Sequence, residues 1–126
     1  MLVQIDNRSS VPIYQQLKTA LIAGILSGEL KEGDRLPSVR DLGQDLGINL
    51  HTVRKVYGLL AGDGYIDISR NRGALVNRAP ALDREGMIQF ENVLQPIVIE
   101  LRAHDITKKQ YDELMDNLWN ASLDRR

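Results

Sequence analysis

Apolar residues recur four apart near the start of the chain, at Ile13, Leu17, Leu21 and Ile25, and Ile22 and Leu26 widen the stripe. This is one face of an amphipathic helix, and it runs out near Gly28. Residues 1–11 read as a short extended arm ending in Asn7-Arg8-Ser9-Ser10. Ser9 or Ser10 is placed to cap the helix, and Pro12 suits its first turn. Residues 29–36 contain Gly33 and Asp34 and read as a loop. After Pro37 a second helix is expected, capped by Ser38, with Val39, Leu42 and Leu46 turned inward. Gly47 can supply the left-handed turn that ends it. Asn49 then caps a third helix. Val53, Val56, Tyr57 and Leu60 fall at i, i+3, i+4 and i+7 and form its buried face, while His51, Arg54, Lys55 and Gly58 have the same spacing on the opposite face.

Gly62-Asp63-Gly64 closes the third helix. Residues 65–68 and 74–76 read as two strands around a polar, arginine-containing turn. Residues 77–81, with Pro80, read as a linker. Beyond it Met87, Phe90, Leu94, Ile97, Val98 and Leu101 make a long helical stripe, and Pro96 inside it is expected to kink or split the helix. Thr107-Lys108-Lys109-Gln110 is a capping-box pattern. Tyr111, Leu114, Met115, Leu118 and Trp119 give the apolar face of a final helix. The expected fold is mainly α with a small β-wing. Residues 1–78 form a winged helix-turn-helix, and residues 79–126 form a two-helix element.

Composition narrows the chemistry. The formal net charge of −1 announces no global basic field, yet residues 12–78 carry +2 and residues 79–126 carry −3. That split permits an anion-facing first part. The chain has no cysteine, which excludes disulfides and thiolate chemistry. Its first residues lack the basic and apolar runs of a signal peptide, and no apolar run approaches a membrane span. A cytoplasmic protein with no membrane partner is expected. His51 and His104 are the only histidines, neither has a catalytic or metal partner at motif spacing, and no phosphate-binding glycine loop is present. The chain is not expected to be an enzyme or to carry a cofactor or metal.

The most informative stretch is Gly33-Asp34-Arg35-Leu36-Pro37-Ser38-Val39-Arg40-Asp41-Leu42, followed by Leu46-Gly47-Ile48-Asn49-Leu50-His51-Thr52-Val53-Arg54. A short helix, a glycine turn and a second helix at a polar cap are the layout of a helix-turn-helix, which lays its second helix in the major groove of DNA. Together with Pro12-Ile13-Tyr14, Gly28-Glu29-Leu30 and the strand after Gly73, this order of features closely resembles the GntR family of bacterial transcription regulators over roughly residues 12–76. The resemblance implies DNA contacts at Arg40, at Asn49, Leu50, His51 and Thr52, and at Arg54. Lys55 shares their polar face. The wing contacts implied by the resemblance fall near Arg70, Arg72 and Gly73. Arg35 and Asp34 read instead as structuring the loop. The chain departs from the family at the wing, where Arg70-Asn71-Arg72-Gly73-Ala74-Leu75-Val76 stands for Arg-Gly-x-Gly-Thr-Phe-Val. Asn71 tolerates a left-handed backbone, but Ala74 lacks the hydroxyl.

The 46 or so residues after the wing are too few for the ligand-binding or aminotransferase-like domains of larger members. Two helices there look like the short YtrA-like subfamily. The resemblance then implies a homodimer on an inverted-repeat operator in double-stranded DNA, acting as a repressor. The dimer would be held by Met87, Phe90, Leu94, Ile97, Val98, Leu101, Tyr111, Leu114, Leu118 and Trp119. This stripe exceeds what a two-helix hairpin can bury by itself, and the alternative is packing onto the same chain's first part. A small-molecule effector, if one acts, would have to lodge between the halves or at the dimer interface. The competing function is a dimeric interaction module that keeps the fold without reading DNA.

Overall fold

The computed structural model describes residues 3–78 and 80–123, with only the backbone of Leu123. The chain divides into two compact units, Met1–Pro80 and Ala81–Arg126. The first holds helices α1 (Ile13–Ser27), α2 (Val39–Leu46) and α3 (Leu50–Gly62) and strands β1 (Ile66–Ser69) and β2 (Gly73–Val76). The second holds α4 (Arg84–Ala103) and α5 (Lys108–Leu123).

The core of the first unit is built from the expected stripes, except that Leu26, expected to widen that of α1, lies past its turn of contact and stands exposed. Leu17 and Leu21 of α1, Val53, Val56 and Leu60 of α3, Ile66 of β1 and Val76 of β2 are all essentially inaccessible to solvent. Each fully buried aliphatic side chain contributes about 1.5–3 kcal/mol relative to exposure. Leu36 and Leu42 close the core from the loop and from α2, and Val3 of the N-terminal arm adds to it. The arm is tied to α1 by one side chain. Gln16 accepts from the Asp6 amide through Oε1 and donates through Nε2 to the carbonyls of Asp6 and Val11.

The helix ends mostly follow the sequence. The Ser38 hydroxyl accepts from the Asp41 amide, Asn49 Oδ1 accepts from the His51 amide, and Gly47 ends α2 in the left-handed conformation. The expected cap of α1 is corrected. Pro12 occupies the cap position and no side chain bonds the helix end. Ser9 instead uses its hydroxyl to accept from the Val11 amide, shaping the turn before the helix. A proline at the cap, with its extended ψ, delivers the chain into α1 and removes one donor, so a serine cap is not required.

The wing is broader than the two strands expected. β1 and β2 pair antiparallel with Ile66 opposite Val76 and Ser69 opposite Gly73. The loop before α2 then joins the other edge of β2. Arg35 bridges Leu75, the Leu36 amide donates to Ala74 O, the Val76 amide donates to Asp34 O, and the Gly33 amide donates to Val76 O. What reads as a loop is therefore partly a third strand, which satisfies the backbone groups of an otherwise open edge.

In the second unit α4 is continuous through Pro96, which corrects the expected split of the helix. Asp83 caps it by accepting from the Gly86 amide. Asp105, in a left-handed conformation, turns the chain after α4. The capping box at α5 forms in both directions: the Gln110 amide donates to Thr107 Oγ1 and the Thr107 amide donates to Gln110 Oε1. No residue of α4 is buried, and none of the core residues lies beyond Val76.

Candidate nucleic-acid interface

Two close approaches fix where α3 stands. At Gly43 a Cβ would lie 3.1 Å from the Ile48 carbonyl and 3.7 Å from a Val53 methyl, so a side chain there would push the Ile48 carbonyl back by a few tenths of an ångström, and glycine lets α2 cross the start of α3 this tightly. At the other side, the Tyr57 hydroxyl donates to the Pro37 carbonyl at 2.6 Å. That bond pins α3 to the residue that opens the helix-turn-helix. Burial pushes the Tyr57 hydroxyl up to about 12 from its ordinary 10.0, because the charged phenolate would lose water there.

With Val53, Val56, Tyr57 and Leu60 inward, the opposite side of α3 is solvent-facing. Asn49, Leu50, His51, Arg54, Lys55 and Gly58 are exposed, and Thr52 is half-buried. The residues are not independent. Arg54 Nη1 lies 3.3 Å from His51 Nδ1, so the neutral imidazole can accept from the guanidinium and steer it. The Lys55 ammonium sits 3.9 Å from the centre of the Tyr14 ring of α1. A cation over a tyrosine at an exposed site is worth about 0.5–1 kcal/mol, enough to bias the lysine without holding it away from a phosphate. Asn49 already spends its carbonyl oxygen on the helix cap, which leaves its amide NH2 free to donate.

The structure places the remaining sequence candidates in a hollow, in a groove and on the exposed turn of the wing. Arg40 and Leu50 line a shallow hollow of about 340 Å³ with Gly43, Gln44, Gly47 and Ile48. Arg54 and Gly73 line an open groove of about 550 Å³ between α3, the residues before α2, and the wing. Arg35, Ile68 and Asn71 also face that groove, which has two guanidinium groups and no carboxylate on its lining. A concave surface with this charge suits an anionic backbone. Gly73 adopts φ +71°, and a Cβ there would meet Arg35 Nε at 3.8 Å. Arg70 and Arg72 stand exposed on the turn, where the Ser69 hydroxyl accepts from the amides of Asn71 and Arg72. They do not line the groove.

Arg35 is the residue that sequence reasoning undervalued. Its backbone does structure the loop, as expected, but its side chain reaches the wing and the groove. Two residues between Asp34 and Pro37 are too few to show a strand's alternation, so the sequence carried no signal for this role. Asp34 behaves as expected, accepting from the Lys31 amide through Oδ2. Among the described residues, no group of His, Asp and Glu is arranged to hold a metal ion, and no helix is long and apolar enough to cross a membrane.

Comparison with known proteins agrees with this geometry. Residues 13–76 match the model of "Bacterial regulatory proteins, gntR family". The chain is 37% identical over 101 residues to the HTH-type transcriptional repressor YtrA of Bacillus subtilis, covering 79% of this chain and 78% of that protein. A solved structure of YtrA from Sulfolobus acidocaldarius, described as a GntR-family transcription factor, is 35% identical with a TM-score of 0.63, over 82% of this chain and 99% of that one. A transcriptional antiterminator from Listeria monocytogenes shares the fold at a TM-score of 0.91 with 20% identity, over 99% of this chain and 95% of that one. The DNA-binding domain of AraR, solved in complex with its operator ORX1, matches at a TM-score of 0.54 with 26% identity, over 60% of this chain and 95% of that one. The chain therefore belongs to the GntR family, with YtrA-like relatives, and is a DNA-binding transcription regulator and not an enzyme.

Proposed function

We propose that this regulator is a repressor that binds an inverted-repeat operator as a homodimer. In this reading α3 enters the major groove. Arg54 contacts a base edge, with His51 holding its guanidinium, and Asn49, Leu50 and Thr52 stand at the groove floor. Arg40 approaches from α2, and Lys55 grips a phosphate beside Tyr14. Arg70, Arg72 and Gly73 of the wing meet the adjacent backbone or minor groove. The observation that carries the reading is the division of α3 into a fully buried apolar face and an exposed polar face bearing His51, Arg54 and Lys55. AraR's complex with an operator and the repressor names of relatives such as YtrA support it.

The second unit supports the dimer. Thirty-six helical residues in α4 and α5 leave Phe90 55% and Trp119 72% exposed, with Met87, Leu94, Ile97, Leu114 and Leu118 also open to solvent. A helix gains most of its stability from an apolar face packed against something. A second copy supplies that face twice over, and its twofold axis matches an inverted repeat.

The test is affinity for matched and scrambled operator duplexes. Arg54→Ala should lose about 1–3 kcal/mol of discrimination, the value of one bidentate base contact. Light scattering on the same samples should give twice the chain mass. Unchanged selectivity in Arg54→Ala refutes the assignment of α3, and a monomeric mass refutes the dimer.

A further inference from the structure

Leu50 is out of character for its place. It is the first residue of α3, on the exposed side of the helix, among Asn49, His51 and Arg54, and it leaves 39% of its surface in water. It is not one of the buried core residues, and it presents apolar surface to water where its neighbours present polar groups. It is nonetheless firmly placed. Its Cα lies 3.9 Å from where a Cβ on Gly43 would stand, so the tight crossing of α2 and α3 sets the direction in which its side chain leaves the helix. The same hollow is lined by Arg40, whose charge favours an approaching phosphate backbone.

The edge of a base pair in the major groove offers one apolar group, the C5-methyl of thymine. We propose that Leu50 is a specificity-determining residue that packs on the methyl group of a thymine in each half-site. The inference rests on the proposed entry of α3 into the major groove. Leu50 has no hydrogen-bonding group in its side chain, so it cannot read a donor or acceptor. It discriminates by apolar contact, and it penalises a base whose exocyclic amine would be stripped of water against it. Cytosine in the same place offers its amine and no methyl.

Removing one methyl from the partner tests this directly. The full chain is first used to select its site from a randomised duplex pool. Each thymine of the selected site is then replaced singly by deoxyuridine, which keeps every hydrogen-bonding atom and deletes the methyl. One thymine per half-site should show about a fourfold loss of affinity, the worth of one buried methyl-sized group. All other thymines should show none attributable to Leu50. In Leu50→Ser that one position should become indifferent to deoxyuridine, while the sensitivity of the site to Arg54→Ala persists. Supplying the methyl on 5-methylcytosine at the same position, opposite guanine, should recover part of the affinity that plain cytosine loses.

A selected site that is indifferent to deoxyuridine at every position overturns the inference and leaves the reading by α3 intact. So does a Leu50→Ser variant with the same deoxyuridine penalty as the parent chain. A pool that yields no preferred sequence overturns the reading by α3, and this inference with it.

Discussion

Replacing Tyr57 by phenylalanine removes one oxygen from the best-defined long-range contact in the DNA-binding unit. The hydroxyl donates to the Pro37 carbonyl at 2.6 Å, twenty residues away in sequence. The ring itself is buried and stays buried in the variant. The loss is then one hydrogen bond plus a carbonyl left without its partner, and Tyr57→Phe should cost about 1–2 kcal/mol. Alkali gives an independent handle on the same group. Tyr57 ionises at 10.0 in the unfolded chain and at about 12 in the fold. Its folded pKa is raised, so its contribution is fully present below pH 10 and is lost as the pH climbs towards 12. The upper bound is about 2.7 kcal/mol for two pK units. Water reaching the hydroxyl end of the ring brings the expected loss closer to 1 kcal/mol. Urea unfolding of the full chain and of Tyr57→Phe across this range reads both effects. The parent should be the more stable below pH 10, and its advantage should shrink as the pH rises, since every other titrating group cancels in the difference. Two stability curves that run parallel through the window, or a variant as stable as the parent at neutral pH, would refute the role assigned to this bond.

Ser38→Ala deletes the side-chain cap of α2 and should cost about 0.5–2 kcal/mol in the same unfolding assay, with Ser38→Asp recovering most of it. Arg70→Ala and Arg72→Ala should weaken binding to matched and scrambled DNA alike. Each should lower the slope of log affinity against log salt by about one, and an unchanged slope in both variants would remove the wing from the phosphate contacts.

The helices of the first unit were legible because their spacing and their punctuation agree. In α3 the cap Asn49, the apolar quartet from Val53 to Leu60 and the polar residues opposite all specify one helix in one orientation. Ser38 and Gly47 bracket α2 in the same way. The misreadings occur where a backbone bond, invisible in residue type, decides the outcome. Residues 33–36 contain a glycine and an aspartate and look like a loop, yet their amides and carbonyls complete the edge of β2. The arm is fastened by Gln16, a residue with no sequence signal of its own. Pro96 was expected to kink or split α4; the helix is not split, because a proline removes one donor and the helix continues on its remaining bonds. At the interface, residue types marked the face of α3, while the couplings of Arg54 to His51 and of Lys55 to Tyr14 needed coordinates. Arg35 needed them most, since its neighbour across the groove is Gly73, far along the chain.

The edge bonds of Gly33, Asp34 and Leu36 to β2 also bear on how such a regulator can change. They clamp the end of the hairpin nearest the helices and leave its tip, residues 70–72, held mainly by the Ser69 hydroxyl. Drift in the tip therefore leaves the placement of α3 undisturbed. Substitutions or short insertions there are free to retune what the wing touches, while the base-reading helix keeps its setting. Of the departures from the family pattern, Asn71 falls in this tolerant stretch, whereas Ala74 is buried in the core. Paralogues that diverge from a common ancestor can acquire separate targets by editing residues 70–72 first, with the fold's stability as a spectator.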